Sequence, residues 1–90
     1  MDIKKALEKI RRNLNNVDVN DFIKIALFLG FTHRQGKGSH QVLGKKGIKE
    51  GIVFQDVRGK VKPYQVKQFL KLIEKYNIVQ EEYNDGKDKV

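Results

Sequence analysis

The chain has 90 residues, 39% of them apolar, which suits one small domain with a modest core. It contains no Cys, so disulfide frameworks and thiolate metal sites are excluded. Its net charge of +8 favours anionic partners, nucleic acid ahead of membrane. The longest apolar run without Gly, residues 25–29, is far too short to cross a bilayer. The opening MDIKKALEKIRRN lacks the apolar core of a secretory signal. A cytoplasmic protein with no membrane partner is expected.

Apolar residues at Ile3, Leu7, Ile10 and Leu14 follow helical spacing, with Asp2 as N-cap and Asn13, Asn15 and Asn16 as the stop. A second helix is predicted over residues 18–29. Asp18 and Asp21 have capping-box spacing, and Val17 and Phe22 occupy the positions of a hydrophobic staple. Gly30 supplies the C-terminal stop. Phe22, Ile25, Ala26 and Leu29 form the expected core stripe. Ile23 and Leu27 add a second apolar stripe that one sheet would struggle to cover, which invites a partner.

After Gly30 the period changes. FTHRQ reads as a strand, GKG as a turn and SHQVL as the returning strand. The basic loop LGKKGIKEG precedes a third strand, GIVFQDV, rich in β-branched and aromatic residues. Short turns demand an antiparallel meander. VRGKVK is a further exposed connection, and Pro63 then opens a helix with Val66, Phe69, Leu70 and Ile73 on its inner face and Lys67, Lys71 and Lys75 outside. Residues 1–79 form the expected domain, and residues 80–90 a polar, frayed tail. The order is that of an α+β two-layer domain, the α-β-β-β-α of the double-stranded-RNA-binding fold preceded by an additional helix.

Residues 32–62 hold eight basic side chains (Arg34, Lys37, Lys45, Lys46, Lys49, Arg58, Lys60, Lys62) against Glu50 and Asp56. A solvated basic face accounts for this as readily as an anion-binding one. Within RQGKGSHQV, Gly36 and Gly38 let the backbone approach a phosphate closely while Lys37 adds charge. A plain hairpin turn explains the same glycines. Two histidines seven positions apart with scattered carboxylates do not make a metal cluster, so no metal or cofactor is expected. RNA carries its own nucleophile, the 2′-hydroxyl, and a histidine can take its proton without a metal. His40 is the candidate for that role. Ser39 can hold a phosphate oxygen, and Arg34, Lys37 and Lys45 can stabilise the phosphorane. His33, Tyr64 or a lysine could protonate the leaving 5′-oxygen. A surface histidine with no chemistry is the competing explanation.

Gly30-Phe31, followed by Gly38-Ser39-His40 and Val42, resembles the HicA toxins of bacterial and archaeal toxin–antitoxin pairs. The segment KPYQVKQFLKLIEKYNI is similar to the C-terminal helix of the longer HicA-like branch, whose members also carry an added N-terminal helix. The resemblance covers about residues 17–79. It implies a ribonuclease that cleaves mRNA on a double-stranded-RNA-binding-like fold, with His40 catalytic and Gly38 and Ser39 matching the motif. It also implies a HicB-like antitoxin as partner. Two departures stand out. Gln41 and Leu43 occupy positions where many members have a second His and an aromatic residue, and His33 stands where the family often has an apolar, inward-facing one. His33 is therefore expected in the core, uncharged, with a substitute proton carrier as the alternative.

The leading expectation is a toxin endoribonuclease acting without metal. His40 is its base or acid, Arg34 and Lys37 contact phosphate, and Lys45, Lys46, Arg58 and Lys60 widen the RNA surface. A non-catalytic RNA-binding module on the same fold is the second reading. A protein-interaction subunit using Ile23 and Leu27 is the third. No helix-turn-helix spacing or zinc finger supports specific DNA readout.

Overall fold

The computed structural model describes residues 1–78; the tail expected over residues 80–90 lies outside the described residues. Helix α1 (Ile3–Arg12) is capped by Asp2, whose carboxylate accepts from the Lys5 N–H at 3.1 Å. Its inner residues Leu7 and Ile10 are buried, with Ile3 and Leu14 at the margin of the core.

Helix α2 (Val19–Phe28) buries Phe22, Ile25 and Ala26, with Leu29 beyond its end, as the spacing predicts. Val17 and Phe22 are both inside, which fits the staple. The capping box does not form. The Asp18 carboxylate makes no bond to the helix N-terminus and instead pairs with Lys60, an ammonium offering a stronger, charge-assisted bond. Backbone bonds do the anchoring, from Val19 N–H to the Gly59 carbonyl and from Val61 N–H to the Val17 carbonyl, both at 2.9 Å. The second apolar stripe divides: Ile23 packs against the core, whereas Leu27 and the adjacent Phe28 remain about half exposed.

The C-terminal end of α2 shows why residue 30 is glycine. Its φ is +92°, a left-handed conformation that L side chains resist. Lys45 Nζ also lies 2.5 Å from where a Cβ would stand. That ammonium donates to the Leu29 carbonyl at 2.8 Å, a cation at the negative end of the helix dipole.

Strands β1 (Thr32–Gln35), β2 (His40–Gly44) and β3 (Ile52–Gln55) form an antiparallel sheet in that order, as expected for a meander. The register pairs His33 with Leu43, Arg34 with Val42, Leu43 with Ile52 and His40 with Gln55. Side chains alternate across a sheet. His33, Gln41, Leu43, Ile52 and Phe54 thus lie on the face where the core sits, and Arg34, His40, Val42, Val53 and Gln55 on the other. Leu43, Ile52 and Phe54 are buried, while Val53 is 49% exposed. One face of the sheet is open.

Helix α3 (Pro63–Lys75) begins with Pro63, whose fixed φ suits the first turn and whose missing N–H leaves no unpaired donor. Val66, Phe69, Leu70, Leu72 and Ile73 are buried. The Phe22 ring meets Phe54 at 5.0 Å and Phe69 at 4.9 Å, both edge-on, so α2, β3 and α3 converge there. Such pairs add about 0.5–1.5 kcal/mol each beyond the buried area. At the far end of α3, Glu50 accepts from Lys75 at 2.6 Å and from the Tyr76 hydroxyl at 2.5 Å. These two bonds, Lys75 first, hold the Glu50 carboxyl down at about 2 and push Lys75 and Tyr76 upward. The architecture is α+β, three helices and one three-stranded sheet. Among the described residues, no helix is long and apolar enough to cross a membrane.

Candidate functional site

The hairpin between β1 and β2 presents His40 at the first position of β2. Gly36 N–H donates to the His40 carbonyl at 2.9 Å, and His40 N–H donates to the Lys37 carbonyl at 3.0 Å. Lys37, Gly38 and Ser39 form the tip, with Gly38 at φ +58°, the conformation such a turn needs at its first central position. Gln35 Nε2 braces the tip through the Gly38 carbonyl at 3.1 Å. The Asp56 N–H reaches the Ser39 carbonyl at 3.4 Å, tying the tip to the end of β3.

The Lys37 carbonyl is also 3.2 Å from His40 Nδ1. A carbonyl only accepts, so Nδ1 carries the hydrogen and the neutral ring presents a lone pair at Nε2. Gln55 Nε2 stands 3.2 Å from that nitrogen, and its amide N–H is the matching donor. His40 is exposed on the open face, accessible to a large substrate. Its ring is oriented from both sides by neutral groups.

Arg34 projects from β1 on the same open face, and Lys37, Gly38 and Ser39 are exposed at the adjoining tip. Lys46 is exposed in the loop before β3. Arg58 stands three positions beyond Gln55 in a tight turn closed by reciprocal bonds between Val57 and Lys60. The Asp56 carboxylate accepts from Gly59 N–H at 2.7 Å within it. Arg58 has φ +54° and Gly59 +82°, the consecutive left-handed pair of a type I′ turn. Arg34, Lys37, Lys46 and Arg58 form no ion pair among the described residues.

One expectation is corrected, and two of the basic residues have partners within the chain. Lys45 is half-buried with its ammonium on the Leu29 carbonyl, where it closes the end of α2. Lys60 is held by Asp18 and helps strap the turn at residues 57–60 to the start of α2. His33 is not in the core. β1 is an edge strand with every residue exposed, and His33 Nε2 donates to Gln41 Oε1 at 2.6 Å while its ring lies 6.3 Å from Phe54. His33 and His40 occupy opposite faces of the sheet, so the structure does not bring them together. Gln41, standing where the resembled family often has a second His, serves His33 and not the site.

Two residues went unnoticed in the sequence. Gln55 is the lateral partner of His40, and strand pairing puts it beside His40 once the loop at residues 45–51 sets the β2–β3 register. Gln65 is a buried polar residue, 4% exposed, in the first turn of α3. Its Oε1 accepts from the Gln55 backbone N–H at 3.1 Å, and its Nε2 donates to the Tyr64 hydroxyl at 3.3 Å. A glutamine beside the apolar stripe of a helix gives little sign that it is inward, because its target is a strand edge elsewhere in the chain. Among the described residues, no three His, Asp or Glu side chains gather as a metal-binding group. Comparison with known protein families, with curated proteins and with solved structures found no match to this chain.

Proposed function

We propose that this protein is an endoribonuclease that cleaves mRNA without a metal, the toxin of a toxin–antitoxin pair, with His40 as its general base. The observation that carries the reading is the His40 ring: exposed, turned by the Lys37 carbonyl so that Nε2 is the basic nitrogen, and set beside a turn of phosphate-approaching backbone. The 2′-hydroxyl of a bound RNA displaces the Gln55 amide at Nε2 and gives up its proton there. The 2′-oxygen forms a bond to phosphorus, the bond from phosphorus to the 5′-oxygen breaks, and the leaving oxygen takes a proton from a second donor or from water. The products are a 2′,3′-cyclic phosphate and a 5′-hydroxyl. Arg34, Lys37 and the Ser39 hydroxyl face the charge that develops on the phosphorane.

The GSH motif, the following strand and the KPYQV helix, similar to HicA-like toxins, support this reading, as does the α-β-β-β-α order shared with double-stranded-RNA-binding domains. The implied partner is a HicB-like antitoxin. One observation favours the second reading, a non-catalytic RNA-binding module: His33, the other histidine, faces away from His40 and cannot serve as its acid.

The test is cleavage of a long single-stranded RNA by wild type and His40→Ala with EDTA present. Cleavage by wild type that disappears in a folded mutant supports the ribonuclease. Intact RNA with both proteins, together with salt-sensitive binding, rejects it in favour of the module.

A further inference from the structure

We infer that Gln55 is a positioning residue for His40: its side-chain amide, fixed by strand pairing and by Gln65, holds the imidazole with Nδ1 protonated and Nε2 as the accepting nitrogen. The inference builds on the ribonuclease reading, in which Nε2 is the base.

Three observations carry it. Gln55 and His40 are direct partners across β2 and β3, so their side chains leave the same face at neighbouring points. The amide nitrogen is 3.2 Å from Nε2, and the carbonyl on the opposite side of the ring favours the same tautomer, so the two contacts act together and neither fixes the ring alone. Gln55 itself is not adrift at a strand end. Its backbone N–H points to the outer edge of β3, where no fourth strand pairs among the described residues, and the buried Gln65 carbonyl oxygen takes that bond at 3.1 Å. α3 thereby fixes the strand position from which the amide reaches His40.

A neutral amide suits the task better than a carboxylate. A carboxylate can only accept, so it would pull a proton onto Nε2 and abolish the lone pair that the 2′-hydroxyl needs. The amide donates to the lone pair weakly enough to be displaced by substrate, and it remains beside the reacting oxygens afterwards.

The experiment compares wild type, Gln55→Met and Gln55→Glu by two readouts: the imidazole nitrogen chemical shifts of His40 by NMR, and cleavage and binding of a long single-stranded RNA. Wild type is expected in the Nδ1-protonated form, Gln55→Met in a mixture of both neutral tautomers, and Gln55→Glu with a proton on Nε2. Cleavage is expected to fall about tenfold or more in both variants, and RNA affinity of Gln55→Met to stay within about twofold, because orientation and not binding is lost. Gln55→Met keeps the backbone bond to Gln65, so its fold is preserved and a melting curve verifies this. Wild-type His40 protonated on Nε2 alone, or a Gln55→Met ring and cleavage rate like those of wild type, overturns the inference. A wild type that cleaves no RNA defeats the ribonuclease reading instead, and the nitrogen shifts then still decide whether Gln55 sets the His40 tautomer.

Discussion

The two histidines lie on one hairpin, seven residues apart, and the structure treats them in opposite ways. His33 gives its Nε2 hydrogen to a side-chain carbonyl on the helix-covered face of the sheet. His40 gives its Nδ1 hydrogen to a backbone carbonyl on the open face and keeps Nε2 as an acceptor. One ring offers a donor where the other offers a lone pair. The difference comes from local neighbours and strand parity, so residue type alone could not have separated them.

The largest expected effect breaks that comparison at the chemistry. His40→Ala should reduce RNA cleavage by about 10²–10⁴-fold, the usual share of a general base, whereas His33→Ala should stay within about threefold of wild type. Equal losses in single-turnover assays would mean that the opposition of the two faces has been misassigned. A smaller effect sharpens the contrast among the cations. Removing Arg34 and Lys37 together should flatten the dependence of log RNA affinity on log salt by about 1.4, the value for two phosphate contacts with a single strand. Lys45→Ala should leave that slope alone and lower stability in urea by about 1 kcal/mol, through the lost bond at the end of α2. Fluorescence anisotropy over a salt series and urea melts distinguish the two classes; a Lys45→Ala slope as shallow as the double variant's would return Lys45 to the RNA surface.

The smallest effect lies at the half-buried Glu50, which accepts from both Lys75 and Tyr76. Its carboxyl is held at about 2 in the folded chain against an ordinary 4.5. The stability it contributes is therefore complete above about pH 4.5 and is lost as pH falls through about 2, because the unfolded chain takes up the proton first. Glu50→Gln should be less stable than wild type near neutrality and converge with it at the acid end. Thermal melts at several pH values provide the check, and a constant gap between the two proteins would mean that Glu50 does not titrate in this way.

Much of the scaffold was legible because it depends on short-range patterns. The spacing of Val66, Phe69, Leu70 and Ile73 is that of a buried helix face, and the GKG turn is too short for anything but antiparallel return. What escaped were partnerships decided by distance in the chain. Asp18 looks like a cap until Lys60, 42 residues on, reaches it. Lys45 looks like another solvent cation until the end of α2 is seen beside it. Of the candidate site, His40 and its turn were visible as a motif. Gln55 was not, because a glutamine at the end of a strand looks like any polar residue leaving the core. His33 was misjudged because a helix-facing position on an edge strand is not thereby covered.

Arg58 occupies a backbone conformation that glycine or asparagine would enter more easily, at a penalty on the order of 1–2 kcal/mol for an L residue with a full side chain. A laboratory selection for heat resistance alone would therefore be drawn to this position and replace the arginine. The survivors would melt later and present one guanidinium fewer, so if RNA is the partner proposed above, robustness and grip on it pull against each other at a single residue.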